Sequence, residues 1–181
     1  MLHGENSSKP HAIPTDRVIQ EQDIITIDMG CKINGYCSDM TRTIFVGGIT
    51  QEQQQVYDLV LNNQIKALNE IFEGASIKTI VKSVESDFNL YNQTLVHSLG
   101  HGVGLDIHEL PAVTLKNDST LKENMVITDE PGIYIPGNFG IRIEDTVVVT
   151  KKGATALTES SKECIILWVW KNSYNLDYVK E

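Results

Sequence analysis

The chain has 181 residues, enough for one domain with a substantial core. Hydrophobic residues make up 41% and charged residues 22%, the balance of an ordinary soluble globular protein. The formal charge of −9, from 24 acids against 15 bases, comes with no basic stripe and so argues against a nucleic-acid partner. No apolar run is long enough to span a bilayer, so no membrane partner is expected. The opening MLHGENSSKPHAIPTDR lacks the apolar core of a secretory signal peptide. Cys31, Cys37 and Cys164 form no CxxC pair, which predicts reduced thiols in a cytoplasmic protein rather than a disulfide framework.

In chain order, Met1 to Arg17 is polar, contains Pro10 and Pro14, and predicts a loop. Asp23 to Met29 (DIITIDM) predicts a strand that continues through Cys31-Lys32-Ile33. Asn34-Gly35 then turns the chain back through Tyr36 to Asp39, because both turn residues tolerate positive φ. Thr41 to Val46 extends the return strand and Gly47-Gly48 ends it. Thr50 with Gln53 forms the pattern of a capping box. The helix it opens is predicted to run to about Glu73 and stop at Gly74. Val56, Leu59, Val60, Asn63, Ala67, Leu68 and Ile71 form its inward stripe. A second helix is predicted over Ile77 to Leu90. Beyond Thr94 the pattern turns to strands, clearest at Leu121 to Thr128, Ile133 to Ile135 and Ile141 to Thr150. Lys151-Lys152-Gly153 is a turn, and Cys164 to Trp170 is a last apolar run. This order predicts an α+β fold with a mostly antiparallel sheet.

Asp28 and Asp39 stand on the two arms of the first hairpin, in segments that read as half buried. A buried carboxylate needs hydrogen bonds, a counter-charge or a metal; capping a turn or pairing with Arg42 would serve equally well. In His97-Ser-Leu-Gly-His101-Gly-Val-Gly-Leu-Asp-Ile-His108-Glu109, three of the five histidines are interleaved with three glycines. Imidazole supplies a metal ligand or a proton carrier near neutral pH. There is no HExxH, and the glycines argue against a helix. Glu130 ends a strand before Pro131-Gly132. Strand alternation puts Arg142 and Glu144 on one face, with Ile141, Ile143 and Asp145 on the other. A salt bridge between Arg142 and Glu144 on a wet face is the plain alternative. Four carboxylates with one imidazole suit Mn²⁺, Fe²⁺, Co²⁺ or Mg²⁺ better than structural zinc. Their negative charge balances around two ions, ~3.5–4 Å apart as in hydrolytic pairs.

The runs PHAIPTDR, DIITIDMGCKINGYCSDMTRTIFVGG, HSLGHGVGLDIHELP, VITDEPGIYIPG and GIRIEDTVVVT follow one another in order. Together they resemble the catalytic domain of the Xaa-Pro aminopeptidase and prolidase branch of metallopeptidase family M24. The resemblance implies the pita-bread fold, a curved antiparallel sheet with helices on its outer face. It implies a metal-dependent exopeptidase acting on peptides or dipeptides with proline at the second position. The implied cofactors are two divalent ions, manganese first, with cobalt, iron or zinc as alternatives. Their implied ligands are Asp28, Asp39, His101, Glu130 and Glu144, with Asp39 and Glu144 bridging. A water shared by the two ions would be the nucleophile, and Glu130 the group that takes its proton. His97 and His108 match positions that contact substrate and assist proton transfer, and His11 one that lines the pocket. Arg142 would bind substrate and orient acidic partners, with Tyr134 and Thr41 as weaker candidates for such support. A homodimer is a further expectation.

Asp145, following the last ligand, counts against methionine aminopeptidase, and the complete ligand set counts against creatinase. The family's N-terminal recognition domain and opening helix have no counterpart, so residues 1–167 are expected to be a truncated catalytic domain. Residues 168–181 are expected to be an extension whose two tryptophans cover apolar surface. The alternative function is a non-catalytic fragment or binding module of the same fold.

Overall fold

A computed structural model gives the architecture and describes residues 1–171 and 177–180. The N-terminal stretch is more ordered than a loop. Its short strand β1 (Leu2–His3) leads into a 3-10 turn over Gly4–Ser8. The reason is tertiary. His3 is buried beside the Arg17–Asp23 ion pair, and Ser7 Oγ accepts from the Gly140 amide at 3.1 Å.

Strand β2 (Ile24–Met29), the short hairpin β3 (Lys32–Ile33) and β4 (Tyr36–Cys37), and β5 (Met40–Val46) follow as the sequence predicts. Asn34 and Gly35 take φ of 51° and 89°, the pair of positive values that the two-residue turn demands. β2 and β5 pair antiparallel throughout, from Ile24 with Phe45 to Met29 with Met40, which sets Asp28 opposite Thr41.

Helix α1 (Gln51–Glu70) opens with the reciprocal cap: Gln53 N donates to Thr50 Oγ1, and Thr50 N to Gln53 Oε1. It ends three residues before the predicted Glu73. Beyond it the amides of Glu73 and Gly74 donate to Thr150 and Leu121 carbonyls, so long-range bonds displace the next helical turn. Tyr57 and Gln64 join its buried face, to which the sequence pattern did not assign them. Helix α2 (Ile77–Leu90) has the predicted bounds and buries Ile77, Ile80, Val81, Val84 and Phe88.

Strands β6 (Gly100–Gly102), β7 (Glu109–Val113), β8 (Val126–Asp129), β9 (Gly132–Ile135), β10 (Phe139–Arg142), β11 (Asp145–Thr150) and β12 (Gly153–Ala156) complete the second half. The strand predicted from Leu121 is confined to Val126 onward, because Leu121 exchanges backbone bonds with the segment before α2 and Asn124 turns at φ 66°. The strand predicted from Ile141 to Thr150 is two strands. β10 pairs with β9, β11 pairs with β8 and β12, and the chain changes partners at Ile143-Glu144.

Two five-stranded sheets result, ordered β12-β11-β8-β6-β7 and β1-β2-β5-β13-β14. Among the described residues, all ladders are antiparallel except β5 with β13 (Ile165–Lys171). β14 (Asp177–Lys180) pairs with β13 from Trp168 onward. An isolated bridge between Thr41 and Glu144 ties β5 to the β10–β11 junction. Helix α1 packs on β8, β9, β10 and β12, and a continuous apolar core that includes Tyr57, Phe88, Ile127 and Ile141 lies between helices and strands. Trp168 is exposed instead of covering apolar surface, and the Trp170 side chain lies outside the described residues. Among the described residues, no helix is long and apolar enough to cross a membrane.

Candidate metal centre

One cavity of about 600 Å³ is lined by His11, Asp28, Asp39, His97, His101, His108, Glu130, Arg142 and Glu144. These are all nine of the side chains singled out from the sequence as ligand or substrate groups. They arrive from three directions: Asp28 and Asp39 from the β2–β5 arms, His101 from β6, and Glu130 and Glu144 from the ends of β8 and β10.

Asp39, His101 and Glu144 each place one ligand atom within 4.8 Å of the others. His101 Nε2 lies 3.6 Å from Asp39 Oδ2 and 3.5 Å from Glu130 Oε1. Its other nitrogen, Nδ1, is 2.9 Å from the Gly102 carbonyl. A carbonyl only accepts, so Nδ1 carries a proton and Nε2 is the nitrogen turned toward the carboxylates. That is the orientation a metal-ligating histidine needs, held as such histidines usually are by a backbone oxygen. The donor set therefore fits a divalent cation.

Electrostatics give the same reading. Burial pushes the Glu144 carboxyl up to about 9, with the Glu130 and Asp39 charges adding to it. Burial pushes Glu130 up to about 7. Asp39 is raised as well, by burial first and by Asp28 second. Acids this crowded hold protons unless a cation replaces them.

Asp28 stands differently. Its side chain is half exposed, and its Oδ2 accepts from Arg142 Nη2. Arg142 is thus paired with Asp28, and neither Asp28 nor Asp39 pairs with Arg42 as the plain alternative held. Arg142 also donates to Thr41 Oγ1 (3.1 Å) and to the Tyr134 hydroxyl (2.9 Å). Thr41 in turn donates to Glu144 Oε2 at 2.6 Å. Arg142 Nη2 therefore orients Asp28, and Arg142 acts on Glu144 through the Thr41 hydroxyl.

His97 is half buried, and burial lowers its pKa to about 4, so it is neutral at physiological pH. Nδ1 donates to the Ser98 carbonyl (2.7 Å), and Nε2 accepts from the Tyr134 hydroxyl (3.0 Å). Both ring nitrogens are therefore engaged. His108 is exposed, and its ring lies 4.3 Å from that of His101, centroid to centroid. His11 is exposed at the rim.

Several supporting residues escaped the sequence reading. Thr128 Oγ1 accepts from the His101 amide (3.0 Å) and donates to Glu130 Oε1 (3.1 Å), fixing both at once. Thr146 Oγ1 accepts from the Asp39 amide and donates to its carbonyl. Next in the chain to Glu130 and Glu144, Asp129 and Asp145 face each other across β8 and β11, and Gln64 Nε2 donates to both. Burial, then the Asp145 charge, drives Asp129 well above the carboxylate range. Burial raises Asp145 too, but Lys162, Arg42 and Thr158 outweigh it and hold that acid ionised. The position of Asp129 and Asp145 beside Glu130 and Glu144 was the available signal.

Gly100 shows why a glycine precedes His101. A Cβ there would lie 2.0 Å from the Thr128 carbonyl oxygen, a backbone atom that cannot yield without moving β8. Gly100→Ala is expected to destabilise the fold by about 1–3 kcal/mol and to weaken metal binding, because β6 carries His101. Denaturant unfolding and metal titration check both, and unchanged values in both would refute the packing argument.

Comparison with known proteins agrees with this geometry. The model of metallopeptidase family M24 matches residues 1–151. The Xaa-Pro dipeptidase of Pyrococcus furiosus is 42% identical over 165 residues, covering 90% of this chain and 47% of that protein. The crystal structure of a prolidase from Thermococcus sibiricus superposes with a TM-score of 0.89 at 38% identity, over 92% of this chain and 46% of that one. An X-Pro aminopeptidase structure from Thermotoga maritima gives 0.86 at 38% identity, over 91% and 47%. The fold is the pita-bread arrangement, α+β as the sequence predicts. The chain spans about half the length of the curated relatives it matches. With a family match over most of its length and the acids and histidines of its motifs lining one cavity, the chain belongs to metallopeptidase family M24.

Proposed function

We propose that this chain carries the active centre of an exopeptidase that hydrolyses the bond between an N-terminal residue and proline, in Xaa-Pro peptides or dipeptides. The observation that carries the reading is the convergence of Asp39, His101 and Glu144, with Glu130 adjoining, in a cavity that also holds His97 and His108. Asp28, Asp39, His101, Glu130 and Glu144 would hold two divalent cations, manganese first. Bound there, the ions would supply an acidified water and polarise the scissile carbonyl. Around them the chain's own groups divide the work. Glu130, raised toward neutrality by burial, accepts and returns a proton at Oε1. Exposed His108 offers a donor toward the substrate from beside His101. Neutral His97 contacts substrate from its fixed place on Tyr134. Arg142 orients Asp28, and His11 lines the mouth.

Residues 1–167 make up this catalytic part and 168–181 an extension, a division supported by β13 pairing with β5 only through Leu167. The names of the relatives, Xaa-Pro dipeptidase and X-Pro aminopeptidase, support the proline requirement.

Calorimetric titration of the metal-stripped chain with Mn²⁺, followed by assay on Ala-Pro and Met-Ala, tests the reading. Two ions bound per chain and manganese-dependent cleavage of Ala-Pro are expected. A folded chain that takes up no Mn²⁺ is a binding module and not an enzyme. Faster cleavage of Met-Ala would transfer the assignment to methionine aminopeptidases.

A further inference from the structure

The metal-ligand side of the cavity is strongly acidic, with Asp28, Asp39, Glu130 and Glu144 all on its wall. Two divalent cations held there would balance that charge, so the basic side chains of the lining decide where a substrate carboxylate is received. Two permanent cations share the lining. Arg142 is buried and committed to Asp28, Thr41 and Tyr134. Lys32 is different. It is exposed, and among the described residues it has no carboxylate within 4.0 Å.

Lys32 is nevertheless held in place. Its Nζ donates to the Leu105 carbonyl at 2.7 Å, across to the loop that leads to His108. The same loop accepts from the Cys37 amide at 2.7 Å through Gly104. Cys37 is the residue directly opposite Lys32 in the β3–β4 hairpin. The hairpin is thus strapped to the loop, and the ammonium keeps two further N–H donors for a ligand.

We infer that Lys32 is the specificity residue that receives the free carboxylate of a dipeptide bound at the proposed metal centre. The inference rests on the proposed function and narrows its substrate to short peptides ending at the proline. A cavity of about 600 Å³ suits a small ligand. The dipeptide preference then resides in this chain, in a hairpin that carries none of the proposed metal ligands.

The probes are Ala-Pro and its C-terminal amide, which differ by one negative charge. With the manganese-loaded chain, Lys32→Gln is expected to raise KM for Ala-Pro about tenfold and leave kcat within about twofold. The amide's KM should hardly move, so the preference for the free acid collapses. Lys32→Arg, which keeps the charge, should retain most of it. Manganese titration of each variant confirms an intact centre. Equal changes for both probes, or no change for either, overturns the assignment. If the parent chain cleaves neither probe, the proposed function fails and calorimetric binding of the same two peptides decides this inference alone. Tenfold weaker Ala-Pro binding in Lys32→Gln, with amide binding unchanged, upholds it; identical affinities refute it.

Discussion

Asp39→Ala is expected to abolish metal uptake and peptide hydrolysis together, lowering kcat/KM by on the order of 10³-fold or more. Asp39 is one of the three residues whose ligand atoms converge, and its Oδ2 lies 3.6 Å from His101 Nε2. If it bridges two ions, its removal weakens both sites at once, so neither is filled at ordinary concentrations. The fold should survive. Thr146 holds Asp39 through the backbone amide and carbonyl, bonds that alanine keeps. The metal-free variant should even be slightly more stable than the metal-free parent, because one of the crowded acids is gone. Calorimetry with Mn²⁺ and thermal unfolding in chelator separate the two effects. Near-normal manganese affinity in the variant would remove Asp39 from the centre, and a destabilised metal-free variant would give it a structural role instead.

The site was legible in the sequence because its chemistry is concentrated in side chains that are costly to bury. Asp39, His101 and Glu144 each adjoin an apolar residue or a glycine, and such residues need partners. Local devices were equally legible. Asn34-Gly35, the Thr50/Gln53 cap and the apolar period of α2 act within a few residues, so short-range pattern suffices. What escaped depends on contacts between distant segments. Nothing in Ile141 to Thr150 announces that its first half pairs with β9 and its second with β8 and β12, yet that exchange sets Glu144 beside Thr41. Helix α1 does not reach Glu73 because Thr150 and Leu121 capture the Glu73 and Gly74 amides. Gln64 looks like a solvated helix residue until β8 and β11 bring Asp129 and Asp145 against it. The Asp28–Arg142 pair spans the two halves of the chain and has no local signature.

The second large effect expected is a pH-dependent loss of stability in the metal-free chain. Glu144 and Glu130 titrate near 9 and 7 in the folded protein, against 4.5 for an ordinary glutamate, chiefly because both are buried. Between those limits the folded chain keeps protons that the unfolded chain has released. Folding is therefore favoured at the acid end, and the advantage is lost as pH rises through about 7 and then about 9. Asp39 and Asp129 shift in the same direction and add to the trend. His97, lowered to about 4, affects stability only below its ordinary value of 6.5, so it leaves the window from pH 7 to 9 clear. In chelator, Tm should fall by several degrees between pH 7 and 9, since each retained proton contributes up to about 1.4 kcal/mol per pH unit. Manganese should reverse the trend. Its binding requires those same carboxylates ionised, so affinity should rise about tenfold per pH unit for each proton displaced. Glu144→Gln should flatten the chelator profile, because an amide has no proton to release there. A Tm in chelator that holds steady or climbs from pH 7 to 9 would mean that the buried acids are already neutralised by the protein's own cations. Metal binding would then not be what their crowding is for.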